Sequence, residues 1–329
     1  MSAATAHAFG EPLDLPMVVG VDGSERSLRA VDWAADEAAL RGASLRLVHA
    51  SLWERYEGTT PTADTEEPSE ELMAEDVVEA AERRAHRRQP GIKVFTDVLP
   101  EEPEYALTRE SRSALLLVLG CRGRSGMAEA LLGSVSVAVA GHAHCPVIVL
   151  RANHSGEARP QAHGRIVLGV GDSPAGSAAV RFAVEESLLR GVPLEAVRAW
   201  RRRHPYEQHA QPPTTGGPAH PQERQARDLV EEALHDCPAG LQKRCRTVEG
   251  RAQDVLPAAA HGADLLVVGA RRRPGHFGLQ LGRAAHRALH HADCPVAVVP
   301  EPAWEGDRTR RRDGPAPAPP DHGQHTETG

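Results

Sequence analysis

The chain has 329 residues, 40% of them hydrophobic and only 3% aromatic, and a formal net charge of −7. That length suits two domains, and the apolar share suffices for globular cores built from Val, Leu and Ala rather than from rings. The acidic balance argues against a nucleic-acid-binding surface over the whole chain, and no run of about 18 apolar residues offers a membrane span.

Residues 1–15 carry neither a basic start nor an apolar stretch, so a disordered N-terminus and a cytoplasmic location are expected. Cys121, Cys145, Cys237, Cys245 and Cys294 form no C-x-x-C pair and read as reduced thiols. Cys145 and Cys294 each precede Pro-Val at a strand start, which suggests buried small residues.

An apolar strand at 17–21 runs into Asp22-Gly23-Ser24, where Ser24 is the expected N-cap of a helix. Leu28, Val31, Ala34, Ala35, Ala38 and Ala39 keep helical spacing as far as Arg41, and Gly42 stops the helix. A second strand follows at 45–50, so the opening reads as a right-handed βαβ unit of a parallel sheet. Residues 53–68 are polar and read as a mobile loop, 70–88 as a charged amphipathic helix, 92–98 as a third strand and 102–112 as a helix. The apolar run 114–119 reads as a buried parallel strand. After a glycine-bearing loop, Ser134 is the expected N-cap of a short helix, and 146–150 is the closing strand.

The loop is the centre of the first half. Gly120, Gly123, Gly133 and Ser134 give the spacing G-x2-G-x9-G-S between a strand and a helix. Glycines let backbone approach an anion, and a helix start offers unpaired N–H groups and a positive dipole end. The spacing is neither a Walker A loop nor G-x-G-x-x-G. It resembles the ATP-binding signature of the universal stress protein family.

That resemblance implies an α/β fold with a doubly wound, Rossmann-like, five-stranded parallel sheet. It implies ATP as cofactor, with or without Mg2+. The implied cofactor-binding set is Gly20, Val21, Asp22, Ala50, Gly120, Arg122, Gly123, Gly133, Ser134, Val135 and Ser136, with no catalytic and no metal residue. In the resembled family, the Asp matching Asp22 contacts the adenosine part of ATP, and His49-Ala50 would flank the base. Read alone, Asp22 is equally a helix-start carboxylate favoured by the dipole. Arg122 and Arg124 could neutralise phosphates, and Ser136 is either a phosphate contact or only a first-turn residue.

The chain repeats itself at a constant offset. Gly20 matches Gly169, an offset of 149 (169 − 20), and the same shift carries Gly120 to Gly269, Cys145-Pro146-Val147 to Cys294-Pro295-Val296 and Arg41-Gly42 to Arg190-Gly191. A repeat of that length means tandem domains. They are expected at 16–151 and 165–300, joined by a linker at 152–164, with a disordered tail at 301–329. In the second copy a strand is expected at 165–171 and a helix from Asp172-Ser173-Pro174. A disordered insert is expected at 200–220, then a helix at 223–235, a weak strand at 246–248 and a clear strand at 264–269.

The binding pattern fails in that copy. Asp22 becomes Gly171, Gly123 becomes Arg272 and Ser134 becomes Arg283, so only Gly269 and Gly282 survive of the loop. An arginine where backbone should approach phosphate obstructs the site.

His142, His144 and Cys145, like His290, His291 and Cys294, sit at helix ends and show no supporting shell for a metal. No catalytic motif stands out. The reading is a tandem two-domain member that binds ATP through its first half as a stress-response sensor or regulator. By the resemblance, the closing strands at 146–150 and 295–299 pair across the domain contact. A homodimer and an unidentified regulatory protein are further expected partners; nucleic acid and membrane are not. Two alternatives stay open: a slow ATPase phosphorylating itself at Ser134 or Ser136, and a nucleotide-free interaction module.

Overall fold

The computed structural model of the chain describes residues 15–52, 70–121, 133–151, 164–172, 176–202, 220–271 and 281–301. Strands and helices alternate in both halves. The first half runs β1 (Met17–Gly20), α1 (Glu25–Arg41), β2 (Leu45–Ala50), α2 (Glu70–Arg88), β3 (Val94–Leu99), α3 (Pro103–Glu110), β4 (Leu116–Gly120), α4 (Ser134–His142) and β5 (Val147–Leu150). The second runs β6 (Ile166–Gly169), α5 (Ala178–Arg190), β7 (Leu194–Trp200), α6 (Pro221–Ala233), β8 (Lys243–Glu249), α7 (Ala252–Ala259), β9 (Leu265–Arg271), α8 (Arg283–His291) and β10 (Val296–Glu301).

Within each half all strand pairs are parallel. The two five-stranded sheets fuse into one ten-stranded sheet of order β3-β2-β1-β4-β5-β10-β9-β6-β7-β8. The seam is the antiparallel pair β5–β10, in which Val149 faces Val296, Ile148 faces Ala297 and Val147 faces Val298. The central pair, Ile148 and Ala297, differs by the repeat offset of 149 (297 − 148), so the seam lies on a pseudo-two-fold axis. This is the expected closing-strand pairing. It covers the edge that each β5-type strand would otherwise expose.

Both faces of the sheet are buried, and this explains the continuous apolar runs of β1, β4 and β9. One core packs Met17, Val19, Leu116 and Val118 against α1, α2, α5 and α6; the other packs Val18, Leu117 and Leu119 against α3, α4, α7 and α8. Alanines carry much of the helix contact: Ala30, Ala34, Ala35 and Ala38 of α1 are wholly buried. Ser24 caps α1 by accepting from the Ser27 N–H at 3.2 Å, and Gly42 ends the helix at φ 67°.

Across the seam the same four charges meet twice. Arg41 reaches Glu186 and stacks over Phe182, while Arg190 reaches Glu37 at 2.6 Å and stacks over Trp33. Each residue of one set is the repeat partner of one in the other. Glu37 and Glu186 are almost wholly buried, at 1% and 0% side-chain exposure. Burial opposes the Arg41 charge, but Glu186, Glu37 and Glu185 outweigh it and hold its proton affinity above the arginine norm. Burial, reinforced by Glu37, pushes the Glu186 carboxyl up to about 7, against the pull of Arg190 and Arg41.

Several local expectations shift. The helix expected at 102–112 ends at Glu110 and tightens into a 3-10 turn, Ser111–Ser113. The strand expected at 246–248 spans Lys243–Glu249, because seven residues of β7 pair with it. Trp200 ends a strand rather than opening an insert, and His220, the N-cap of α6, stacks on it at 5.7 Å. The helix expected from Ser173-Pro174 starts at Ala178 instead, after Gly176 turns the chain at φ 66°. The expected loop at 53–68, the linker and the two termini lie outside the described residues, apart from a few flanking positions. Among the described residues no helix is long and apolar enough to cross a membrane.

Candidate functional site

The chain leaves β1 toward β2 on one side of the sheet and β4 toward β5 on the other. The crevice beyond the carboxyl ends of β1 and β4 is therefore the switch point at which open α/β sheets hold ligands. Gly20 ends β1 there with Val21 and Asp22 just beyond it, Ala50 ends β2, Gly120 ends β4, and Gly133 to Ser136 open α4. Arg122 and Gly123 lie outside the described residues.

Each of these residues has a definite local task. A Cβ on Gly20 would lie 2.7 Å from Leu119 Cδ2, so this glycine serves packing. The Val21 N–H donates to Val48 at 2.9 Å, and the Val21 carbonyl takes a hydrogen bond from His49 Nδ1 at 2.8 Å. A carbonyl can only accept, so Nδ1 carries the His49 proton. Asp22 turns the chain with one oxygen: Oδ1 accepts from the Ser24 N–H at 3.0 Å and from the Ser24 hydroxyl at 2.6 Å. Asp22 Oδ2 has no hydrogen-bond partner among the described residues. Ala50 pairs with Leu99 and is half-buried.

The glycine loop is pinned at both ends. A Cβ on Gly120 would fall 2.8 Å from the Arg26 carbonyl oxygen and 3.1 Å from the Ser27 nitrogen, so the end of β4 touches the start of α1. The Gly133 N–H donates to the Cys121 carbonyl at 2.6 Å, and the buried Ser136 hydroxyl donates to the Gly120 carbonyl at 2.8 Å. The chain thus departs from and returns to one point, with the N-terminus of α4 facing the crevice.

Ser134 differs from its expected capping position, while Ser136 lies in the first turn of α4 as one of its two readings had it. The N-cap of α4 is Gly133, extended at φ −66° and ψ 147°, and Ser134 is the first helical residue. Its exposed hydroxyl donates to Glu104 Oε1 of α3 at 3.3 Å. Ser136 holds strand to helix, and its position follows from that bond. Sequence reasoning also missed Ser27, whose buried hydroxyl donates to the Ser24 carbonyl at 2.9 Å and accepts from the Asp22 N–H at 3.3 Å. The S-x-x-S spacing from Ser24 was its one visible sign.

The matching crevice of the second half is filled by its own side chains. Helix α5 begins later than its counterpart, and Glu301 takes the vacated place. Its carboxylate accepts from the Ser177 hydroxyl and from the N–H groups of Ala178 and Ala179, both at 3.0 Å. It also lies 3.2 Å from where a Gly269 Cβ would stand. Arg198, the repeat partner of His49, donates to the Val170 carbonyl at 3.0 Å and binds Asp172 at 2.5 Å. Asp172, one position beyond the repeat counterpart of Asp22, is thus held by Arg198.

Among the described residues no group of three or more His, Cys, Asp and Glu side chains converges as a metal site would. His142 Nδ1 donates to its own helix at Ala138, 2.8 Å away. Cys145 and Cys294 are buried, and burial pushes both thiols up to about 12.

The sequence model described as the Universal stress protein family matches residues 16–151 and 163–300. Universal stress protein MT2052 of Mycobacterium tuberculosis (strain CDC 1551 / Oshkosh) is 32% identical over 308 residues, covering 87% of this chain and 95% of that protein. A universal stress protein of Mycolicibacterium smegmatis is 32% identical over 298 residues, covering 86% and 96%. Among solved structures, a universal stress protein from Archaeoglobus fulgidus DSM 4304 superposes with a TM-score of 0.62 at 16% identity, covering 88% of this chain and 97% of that one.

Proposed function

The chain belongs to the universal stress protein family, and from that premise we propose that its first half binds ATP at the β1/β4 switch point and acts as a nucleotide-responsive regulator. One observation carries the reading. The clamp between Gly133 and Cys121 returns the glycine loop to the start of α4, where unpaired N–H groups face the crevice that Asp22 borders.

The residues present fit the ligand. The N–H groups of Ser134, Val135 and Ser136 would hold phosphate oxygens at the positive end of α4. Asp22 Oδ2 would accept from ribose hydroxyls or the adenine amino group, while Oδ1 stays in its turn. Ala50, small and half-buried, would leave room for the base. Arg122 and Gly123 would complete the phosphate loop. Among the described residues no side chain at this crevice is placed as a general base or nucleophile, so the reading is binding with the output passed to a protein partner. The second half is the silent partner, its crevice held by Glu301 and Arg198.

The test is the nucleotide content of the purified protein, followed by calorimetric titration with Mg-ATP. About one ATP per chain is expected from one helix-start site. Asp22→Asn keeps the Oδ1 acceptor for Ser24 and removes the charge, so affinity should fall about tenfold or more. Absence of binding even at high Mg-ATP would overturn the proposal. Two molecules per chain would overturn the silence of the second half.

A further inference from the structure

We propose that the groove between α7 and α8 in the second half binds a small phosphate-bearing anion, independently of the nucleotide site in the first half. The groove is a shallow depression, open to solvent, of about 340 Å³, and is lined by Gln253, Leu281, Arg283, His286 and Arg287. That volume lies at the lower end of small-molecule sites, which suits a pyrophosphate or a sugar phosphate rather than a long polyanion.

The repeat supplies an internal comparison. The first-half counterparts of Gln253, Arg283, His286 and Arg287 are Glu104, Ser134, Val137 and Ala138. There, Glu104 takes the Ser134 hydroxyl at 3.3 Å. The second half has exchanged that carboxylate for an amide and gained two guanidiniums and an imidazole. One fold therefore carries an acidic lining in one copy and a basic lining in the other. Backbone geometry is not the cause, since Gly133 and Gly282 cap their helices with nearly the same dihedral angles.

The basic charge is local and uncompensated. Arg283, His286, Arg287 and His290 recur at helical spacing and share one stripe of α8. Among the described residues neither Arg283 nor Arg287 is paired with a carboxylate. The rings of His286 and His290 lie 4.5 Å apart. Burial and the positive neighbours His286, His291, Arg151 and Arg287 all hold the His290 imidazole below its ordinary proton affinity. Asp254, in the first turn of α7, is not among the groove-lining residues. The first turns of both α7 and α8 open on the groove, through Gln253 and Arg283, and add two positive dipole ends. Guanidiniums in this arrangement suit the planar, forked recognition of phosphate oxygens.

The experiment uses the full chain and pyrophosphate as probe. Histidine ring-proton NMR, assigned with His286→Gln and His290→Gln, follows the titration of both rings. Bound anion should move both curves to higher pH, because it stabilises the imidazolium form. Calorimetry should show pyrophosphate affinity falling about thirtyfold in Arg283→Glu/Arg287→Glu, from the loss of two charge-assisted contacts. Both arginines are exposed, so the double variant should fold, and its unfolding midpoint reports that. If the charge reversal does not fold, Arg287→Gln alone should still weaken binding. Histidine curves unmoved by pyrophosphate would overturn the proposal, as would binding retained in the arginine variants.

Discussion

Replacing Glu186 with Gln tests the seam directly. The carboxyl sits at 0% exposure between Arg41 and Arg190, opposite Glu37, and its pKa is raised from 4.5 to about 7 by burial first and by Glu37 second. Because the folded state keeps this proton to higher pH than the unfolded chain does, the unfolded chain binds fewer protons between about pH 4.5 and 7. The contribution is therefore whole below pH 4.5, falls across that window and is gone above pH 7. At about 1.4 kcal/mol per unit, the displacement amounts to roughly 3 kcal/mol. Glutamine keeps the shape and an acceptor for Arg41 but cannot titrate. Urea unfolding of both proteins from pH 4.5 to 8, compared as a difference, isolates this group from other titrations. The wild type should lose about 3 kcal/mol relative to Glu186→Gln on going from the acid to the alkaline end. A flat difference would refute the reasoning, since it would mean that the two guanidiniums outweigh burial and Glu186 ionises as an ordinary glutamate.

Gly120→Ala would place a methyl group 2.8 Å from the Arg26 carbonyl, a contact between two backbone segments that cannot swing aside. Stability should fall by about 1–3 kcal/mol, and ATP affinity with it, read by thermal melting and calorimetry; an unchanged melting point would show that β4 and α1 are not in that contact. Glu301→Ala would strip the cap from α5 and leave the Ala178 and Ala179 N–H groups unpaired. The cost should be about 1–2 kcal/mol in urea unfolding. Stability equal to the wild type would remove Glu301 from its place at the second crevice.

Much of this fold was legible because local rules and global packing agree. The α1 cap at Ser24, its stop at Gly42 and the bounds of β2 and α2 follow from side-chain chemistry within a few residues. The closing-strand contact followed from the repeat and the resemblance together. Other readings failed where a distant group intervened. Ser134 looks like an N-cap in sequence, yet Gly133 holds the capping conformation and the Ser134 hydroxyl meets Glu104, thirty positions away. Ser173 looks like a cap as well, but α5 begins later and is capped by Glu301, 123 residues beyond Ala178. Strand β8 was read short because its first residues, Lys243 to Cys245, are exposed and carry no apolar alternation, and only their pairing with β7 makes them a strand.

The sequence by itself determined two α/β repeats, their offset, the strand–loop–helix at Gly120 and the loss of that loop's residues in the second copy. These depend on periodicity, glycine spacing and caps, and all of them act over short range. Only the tertiary structure decided that the closing strands meet antiparallel with Ile148 opposite Ala297, that Arg41 and Arg190 reach glutamates across the seam, and that Glu301 and Arg198 occupy the second crevice. Each of those joins residues far apart along the chain. A charged side chain leaves no periodic trace of which buried partner it will meet once the sheet has brought them together.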